Sequence, residues 1–354
     1  MTFETRKLVQ SLDLPREGRS LVFGYAGLGA NRGAYDLTGG SGAPAVNSIR
    51  AAVPDGDTVG LRALGNLGVR FLGIDTPETK TQVPRPGGTQ SPWLNTGHDE
   101  AKAFLDTAFD EDRFGPFRGE VSYSAGKAFL AHLAERIRAA GGGAAVADNH
   151  RAHGKAAEDA LETMIAADCA AQFAGNAAAM QFHLAYGNDV FDRYGRLLAY
   201  VNVAVADAAR RPPDLNTRLA AEGWATPYFI WPNTQPFLGL PLLRAALGPA
   251  AFEAALAAKD RHAKRLADAR AAVAAARAAG KGIYAPGNRL VLEAAELRML
   301  TGRRLPARRV IDLRNPRGVL LPPTGYVTIP HAEDRLYIPP EFEPLFVERG
   351  WRLG

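Results

Sequence analysis

The residues best suited to chemistry lie in two nearby stretches, Asp55-Gly56-Asp57-Thr58-Val59 and Val69-Arg70-Phe71-Leu72-Gly73-Ile74-Asp75-Thr76-Pro77-Glu78-Thr79-Lys80. The carboxylates Asp55, Asp57, Asp75 and Glu78 accompany Arg70 there. Carboxylates at that density repel one another unless positive charge sits between them, and a hard divalent cation with oxygen ligands answers that need. The nearby arginine points to an anionic partner such as phosphate. On a strand, Asp55 and Asp57 would share a face, with Gly56 allowing another backbone or a ligand to come close. Asp75 ends an apolar run that Thr76-Pro77 breaks, which leaves the Thr76 carbonyl to point at a ligand. Two carboxylates and a carbonyl make a partial shell for calcium or another hard divalent cation. One conflict stands in the way. Arg70 precedes Asp75 by roughly 16 Å of straight strand and has opposite parity, so the two share a site only if the strand bends sharply.

A second block, Asp192-Arg193-Tyr194-Gly195-Arg196, supplies another arginine. Two arginines, a hard cation and a spare carboxylate suit phosphodiester hydrolysis: Lewis-acid activation, charge neutralisation and proton acceptance from water. No Ser/His/Asp or Cys/His arrangement of recognisable spacing competes. The plainer alternative is a set of turn aspartates with an incidental salt bridge to Arg70.

The elements that must position these residues read as follows. Residues 1–47 form an extension, with a short strand at Ser20–Phe23 and a glycine-rich loop from Gly24 to Gly42. Its Gly27–Gly33 spacing fits a nucleotide loop poorly. Residues 48–80 read as strands, with a hairpin turn at Leu64–Gly68. A helix follows near Gly97–Phe109. Residues 110–180 look inserted: one helix near Gly126–Ala140, a glycine stop at 141–143, and a second helix near Gly154–Met180. His150 and His153 fall in the connection, where a polar loop is expected rather than a zinc site. Strands recur at Gln181–Tyr186 and Leu197–Val205, and a short helix at Asn216–Glu222. One long helix runs from Pro249 to about Ala279, its basic residues, Arg270 included, read as a solvated face. Residues 286–354 form a second extension with short strands at Arg309–Leu313 and Gly318–Leu321. Arg303, Arg304, Arg308 and Arg309 form a basic cluster that reads as a solvated turn, the alternative being a surface patch on a nucleic-acid backbone.

With 354 residues, 47% hydrophobic and 22% charged, the chain is long enough for a sizeable core. A net charge of +5 permits a nucleic-acid partner without demanding one. The single cysteine, Cys169, excludes an intrachain disulfide and lies on an apolar helical stripe. No run reaches the roughly 18 apolar residues of a membrane span, so no membrane partner is expected. Met1–Ser20 lacks the apolar core of a signal peptide, so a cytoplasmic location is the default expectation, with other export routes open.

Taken in order, the blocks resemble the thermonuclease family, the staphylococcal nuclease-like domain. The likeness rests on Asp55-Gly56-Asp57-Thr58, Arg70 with Asp75–Lys80, Asp192–Arg196 with Leu198-Ala199-Tyr200, Asn216 through Ala225, and Lys281-Gly282-Ile283-Tyr284. It covers about residues 48–109 and 181–285, within a 48–285 domain. The resemblance implies an α+β fold: a five-stranded OB-type β-barrel with packed helices, here with an inserted alanine-rich helical segment. It implies a calcium-dependent nuclease acting on DNA and/or RNA that leaves 3′-phosphate ends. It places Asp57, Asp75 and the Thr76 carbonyl on the metal, with Asp55 in an outer shell. Glu78 becomes the general base, Arg70 and Arg196 the phosphate clamp, and Arg193, Tyr194 and Tyr228 substrate contacts. The insertion departs from the family pattern, Arg193 replaces a lysine, and the spacing at Tyr228 is one residue short. The competing expectation is an OB-type module that binds nucleic acid or another partner without cutting.

Overall fold

A computed structural model of the chain describes residues 22–28, 53, 55–62, 66–85, 89–107, 123–192, 196–205, 207, 209–234, 246–257 and 261–354. The fold is mixed α+β, with several small sheets packed among helices. The largest sheet grows from the expected hairpin. β2 (Thr58–Arg62) pairs antiparallel with β3 (Asn66–Phe71), and Val59 opposite Val69 turns both apolar side chains into the core. β3 continues in parallel with β8 (Leu197–Val203), which pairs antiparallel with β7 (Phe182–Phe191). β1 (Val22–Leu28) pairs with both β7 and β2, so the five strands close in the order β1-β2-β3-β8-β7.

β1 corrects the reading of Gly24–Leu28 as loop. Its two antiparallel partners fix it as strand despite two glycines, because sheet pairing overrides a weak local preference. These pairings run across the expected boundary at residue 48. The Gly27–Gly33 motif otherwise falls outside the described residues.

After β3 the chain leaves this sheet. Leu72 turns, Gly73 adopts φ +76°, and β4 (Gly73–Asp75) joins another sheet with β9 (Thr226–Ile230), β10 (Arg309–Asp312) and β12 (Arg335–Ile338), in the order β10-β12-β9-β4. Two short pairs among the described residues lie outside both sheets: β5 (Lys80–Thr81) with β6 (Leu94–Asn95), antiparallel, and β11 (Val319–Leu320) with β13 (Arg352–Leu353), parallel. β12 pairs in parallel with β9, so residues 286–354 are hydrogen-bonded into the body of the fold across the expected boundary at 285.

Both faces of this second sheet are covered. Val310 and Tyr337 face a cluster with Phe129, Leu133, Leu297 and Leu300, while Ile311, Leu336 and Ile338 face one with Trp231, Phe252, Phe346 and Trp351. A strand buried on both sides shows no polar alternation, which is why Arg335–Ile338 carries no period-2 signal.

The helices are α1 (Asp99–Leu105), α2 (Tyr123–Ala139), α3 (Gly143–Phe173), α4 (Leu215–Ala221), α5 (Pro249–Ala257), α6 (Arg261–Ala278), α7 (Ala294–Thr301) and α8 (Glu343–Glu348). α3 starts well before the expected Gly154. Its buried stripe runs through Val146, His150, His153, Ala157, Leu161, Ile165 and Cys169 at helical spacing. The expected connection is instead continuous helix, in which the polar residues His150 and His153 occupy core-facing positions. α3 is no appendage, because Leu161, Ile165 and Cys169 share one core with Val59, Val69, Phe182 and Val201 of the main sheet. The long helix expected from Pro249 divides into α5 and α6, with 258–260 outside the described residues. Among the described residues no helix is long and apolar enough to cross a membrane.

Candidate active site

Asp55 and Asp57 do not lie on a regular strand. They flank a tight turn entering β2, in which the Asp57 amide donates to Asp55 Oδ1 at 3.3 Å. A Cβ at residue 56 would stand 2.5 Å from the Ala157 Cβ, so Gly56 admits helix α3 rather than a ligand. Asp57 is buried, and its Oδ2 accepts the Thr76 amide at 3.0 Å. That bond ties the first acidic stretch to the second.

The bend at Gly73 resolves the conflict between Arg70 and Asp75. With β3 and β4 in different sheets, the Arg70 guanidinium reaches both acids: Nη1 donates to Asp57 Oδ1 at 2.8 Å, and Nη2 donates to Asp75 Oδ1. Asp75 is itself buried and held at its backbone by the Thr226 hydroxyl, 2.9 Å from its carbonyl.

A residue that sequence reasoning missed completes this cluster. Arg298, on α7, donates from Nη1 and Nη2 to the two Asp75 carboxylate oxygens at 3.0 and 2.6 Å, and its Nη1 also donates to Glu78 Oε1. The only signal was its place on an amphipathic helix between Leu297 and Leu300; nothing in the local sequence tied it to an acid 223 positions away.

α7 is held rigidly. The Glu293 amide donates to Glu296 Oε2 at 2.8 Å, the reciprocal arm of a capping box. Glu296 Oε1 accepts from Arg136 of α2 at 2.6 Å and from the Tyr326 hydroxyl at 3.0 Å. Arg335 pairs with Glu293 at 2.7 Å.

α3 holds the other side. The Glu78 amide donates to His150 Nε2 at 2.8 Å, so the neutral ring carries its proton on Nδ1. His153 Nε2 lies 2.8 Å from the Asn288 carbonyl, and Asn149 bonds Asn288, Arg289 and Val291. The two histidines are therefore buried helix residues that brace the site, not a polar loop. A Cβ at Gly154 would stand 2.6 Å from the Pro77 carbonyl, which explains how the helix lies so close to this segment.

The electrostatics follow from burial. Desolvation pushes the Asp57 carboxyl upward, Asp55 and Asp75 add to the shift, and Arg70 opposes it. Burial would raise Asp75 too, but Arg298 and then Arg70 hold it below the usual carboxylate range. Burial raises Glu78 against the pull of Arg298. His150 is pushed down to about 3, by burial first and then by Arg298.

Arg196 stands on the same face as Arg70. β3 and β8 pair in register with Arg70 opposite Leu198, and a Cβ at Gly68 would meet the Arg196 Cγ at 3.3 Å. Its Nε donates to Asp192 Oδ2 at 2.7 Å. Arg193 and Tyr194 lie outside the described residues. Tyr228 sits on β9 opposite Gly73, its ring tilted at 51° against Tyr337 with centroids 4.9 Å apart, and its hydroxyl accepts from Arg308 at 3.0 Å.

The expected solvated turn of arginines therefore holds only in part. Arg303 and Arg304 are exposed, whereas Arg308 is on Tyr228 and Arg309 is buried against Glu343 at 2.9 Å. Arg270 likewise pairs with Asp334 at 2.6 Å instead of facing water.

No protein-family model and no curated protein matches this chain.

Asp57 and Asp75 offer oxygen donors only, and together with Asp55 and Glu78 they outnumber the two arginines, Arg70 and Arg298, that reach into the cluster. That combination fits a hard divalent ion. Among the described residues no group of three or more His, Cys, Asp or Glu side chains is gathered to hold a metal. A cation here would rest on two carboxylates and complete its shell with backbone carbonyl and water.

Proposed function

We propose that this protein is a metal-dependent nuclease that hydrolyses phosphodiester bonds of DNA and/or RNA, built on an OB-type barrel of the thermonuclease kind. The observation that carries the reading is the convergence of Asp57, Arg70, Asp75 and Glu78, which two sheets and a left-handed turn bring together. The order β1-β2-β3-β8-β7 supports the barrel assignment.

Asp57, Asp75 and the Thr76 carbonyl would hold the cation, with Asp55 behind them. A hard divalent ion there supplies Lewis-acid polarisation of the phosphoryl oxygen. Arg70 and Arg196 share a face and bind the phosphate, neutralising the charge that grows in the transition state. Glu78 accepts a proton from the attacking water, and the His150 contact to its amide fixes the backbone that carries it. Tyr228, at the edge of the cluster, contacts the nucleotide, as do Arg193 and Tyr194.

One observation favours the second reading, a module that binds nucleic acid without cutting it. Arg70 and Arg298 already engage both Asp75 oxygens. Incubation of the purified chain with plasmid, single-stranded DNA and RNA, with calcium or with a chelator, decides between them. Calcium-dependent cleavage supports the nuclease. Chelator-resistant cleavage removes the metal assignment, and binding without cleavage of any substrate establishes the second reading.

A further inference from the structure

The site as read from the sequence contains one arginine among its acids; the folded site contains two. Asp55, Asp57, Asp75 and Glu78 bring four carboxyl groups, against the two guanidinium groups of Arg70 and Arg298. The two arginines differ in their setting. The Arg70 side chain is only 17% exposed, is carried on a central strand of the main sheet, and joins Asp57 to Asp75. The Arg298 side chain is 41% exposed, reaches in from α7, and pairs with both Asp75 and Glu78. A guanidinium on both oxygens of a carboxylate makes a strong, directional pair, and it occupies the same lone pairs that a hard cation needs.

We infer that Arg298 is an exchangeable counter-ion: it neutralises Asp75 and Glu78 when no cation is bound, and a divalent cation entering the site must displace it from Asp75. The proposal rests on the metal-site reading above and deepens it. Arg298 has somewhere to go. Its side chain is partly exposed, whereas the braces on α7 through Glu296, Arg136 and Tyr326 hold the helix in place. Displacement therefore needs a side-chain rotation and not a shift of the helix. Once released, the guanidinium stays near the acids as a third positive group available to a substrate phosphate.

The exchange predicts a sign that a purely structural role does not. Removing the charge at 298 removes the competitor, so the site binds a cation more tightly. Keeping a positive charge there preserves the competition. A residue that merely propped up the acids would have the opposite effect, and its loss would weaken cation binding whether or not charge was kept.

The test is calorimetric titration of calcium into the full-length chain and its Arg298→Gln and Arg298→Lys variants, each first checked for a cooperative thermal transition without calcium. Expected is calcium binding at least ~10-fold tighter in Arg298→Gln and close to wild type in Arg298→Lys, since a like charge within a few ångströms opposes a dication even after screening. Equal calcium affinity in all three proteins, or weaker binding in both variants, overturns the exchange while leaving the metal site standing. No calcium binding by any of the three removes the metal site itself and the exchange with it. If Arg298→Gln does not fold, Arg298→Met, which keeps the packing of the stem, takes its place with the same expected sign.

Discussion

Arg298 and Asp75 are 223 residues apart in the chain, yet they form a two-pronged ion pair at 3.0 and 2.6 Å. The pair joins a strand that leaves the main sheet to a helix of the C-terminal segment. It makes the acid cluster a joint product of three parts of the chain: the residues 55–78, helix α3 and helix α7.

Glu78→Gln and Arg196→Ala should each abolish most cleavage and leave the fold intact. Loss of the proton acceptor is expected to cost roughly 100- to 10,000-fold in rate. Loss of one phosphate-binding group should cost roughly 100- to 1,000-fold. Both side chains are only partly buried, and the Arg196 partner Asp192 keeps access to water, so thermal midpoints should hardly move. Single-turnover cleavage of a labelled oligonucleotide, with circular dichroism alongside, measures both. Retention of full activity by either variant would remove that residue from the mechanism.

Gly73→Ala should destabilise the protein and disturb the site together. Residue 73 has φ +76°, and an added Cβ would stand 3.1 Å from the Tyr200 hydroxyl. A left-handed conformation and this contact should cost about 1–2 kcal/mol. The bend is also what lets Arg70 meet Asp75, so cleavage should fall by more than the lost folded fraction accounts for. Urea denaturation and activity measured on the same preparation separate the two effects.

His150 should impose an acid limit on stability. Its folded pKa is depressed to about 3, whereas an unfolded histidine titrates near 6.5. Between those values the unfolded chain holds the extra proton, so the His150 contribution is fully present above about pH 6.5 and is lost as pH falls toward 3. His153, also lowered by burial, acts in the same direction. Exchange of His150 for Gln, which keeps an acceptor for the Glu78 amide, should flatten the slope by up to about 1.4 kcal/mol per pH unit. Denaturant midpoints at pH 4.5, 5.5, 6.5 and 7.5 read it out, and an unchanged slope would contradict it.

Ending the chain at residue 285 should prevent a native fold. β12 pairs with β9 in parallel, and Leu297, Leu300, Val310 and Tyr337 share a buried cluster with Phe129 and Leu133 of α2. Removing one side of that cluster exposes the other. The truncated chain should show a broad, weakly cooperative transition and loss of amide protection in β9 and α2. Cooperative unfolding at the full-length midpoint would instead show that residues 286–354 stand apart.

The amino-acid sequence alone marks the candidate acids and arginines and the start of the main sheet. Asp57, Asp75, Glu78, Arg70 and Arg196 stand out because acids and arginines crowd where apolar strands end. The β2–β3 hairpin stands out because Val59, Val69 and the glycine turn follow local rules. Only the folded chain decided how these groups meet. The turn at Gly73 cancels the opposite parity of Arg70 and Asp75. His150 lies on a core-facing stripe, where polarity makes it read as loop until its acceptor role toward the Glu78 amide is seen. Arg298 follows no local pattern that links it to Asp75. Strand and helix periodicities record short-range geometry, so they mark which face of an element is buried. A contact between residues more than 200 positions apart is fixed by how the sheets and helices stack, and that information is spread over every core residue that holds them in place.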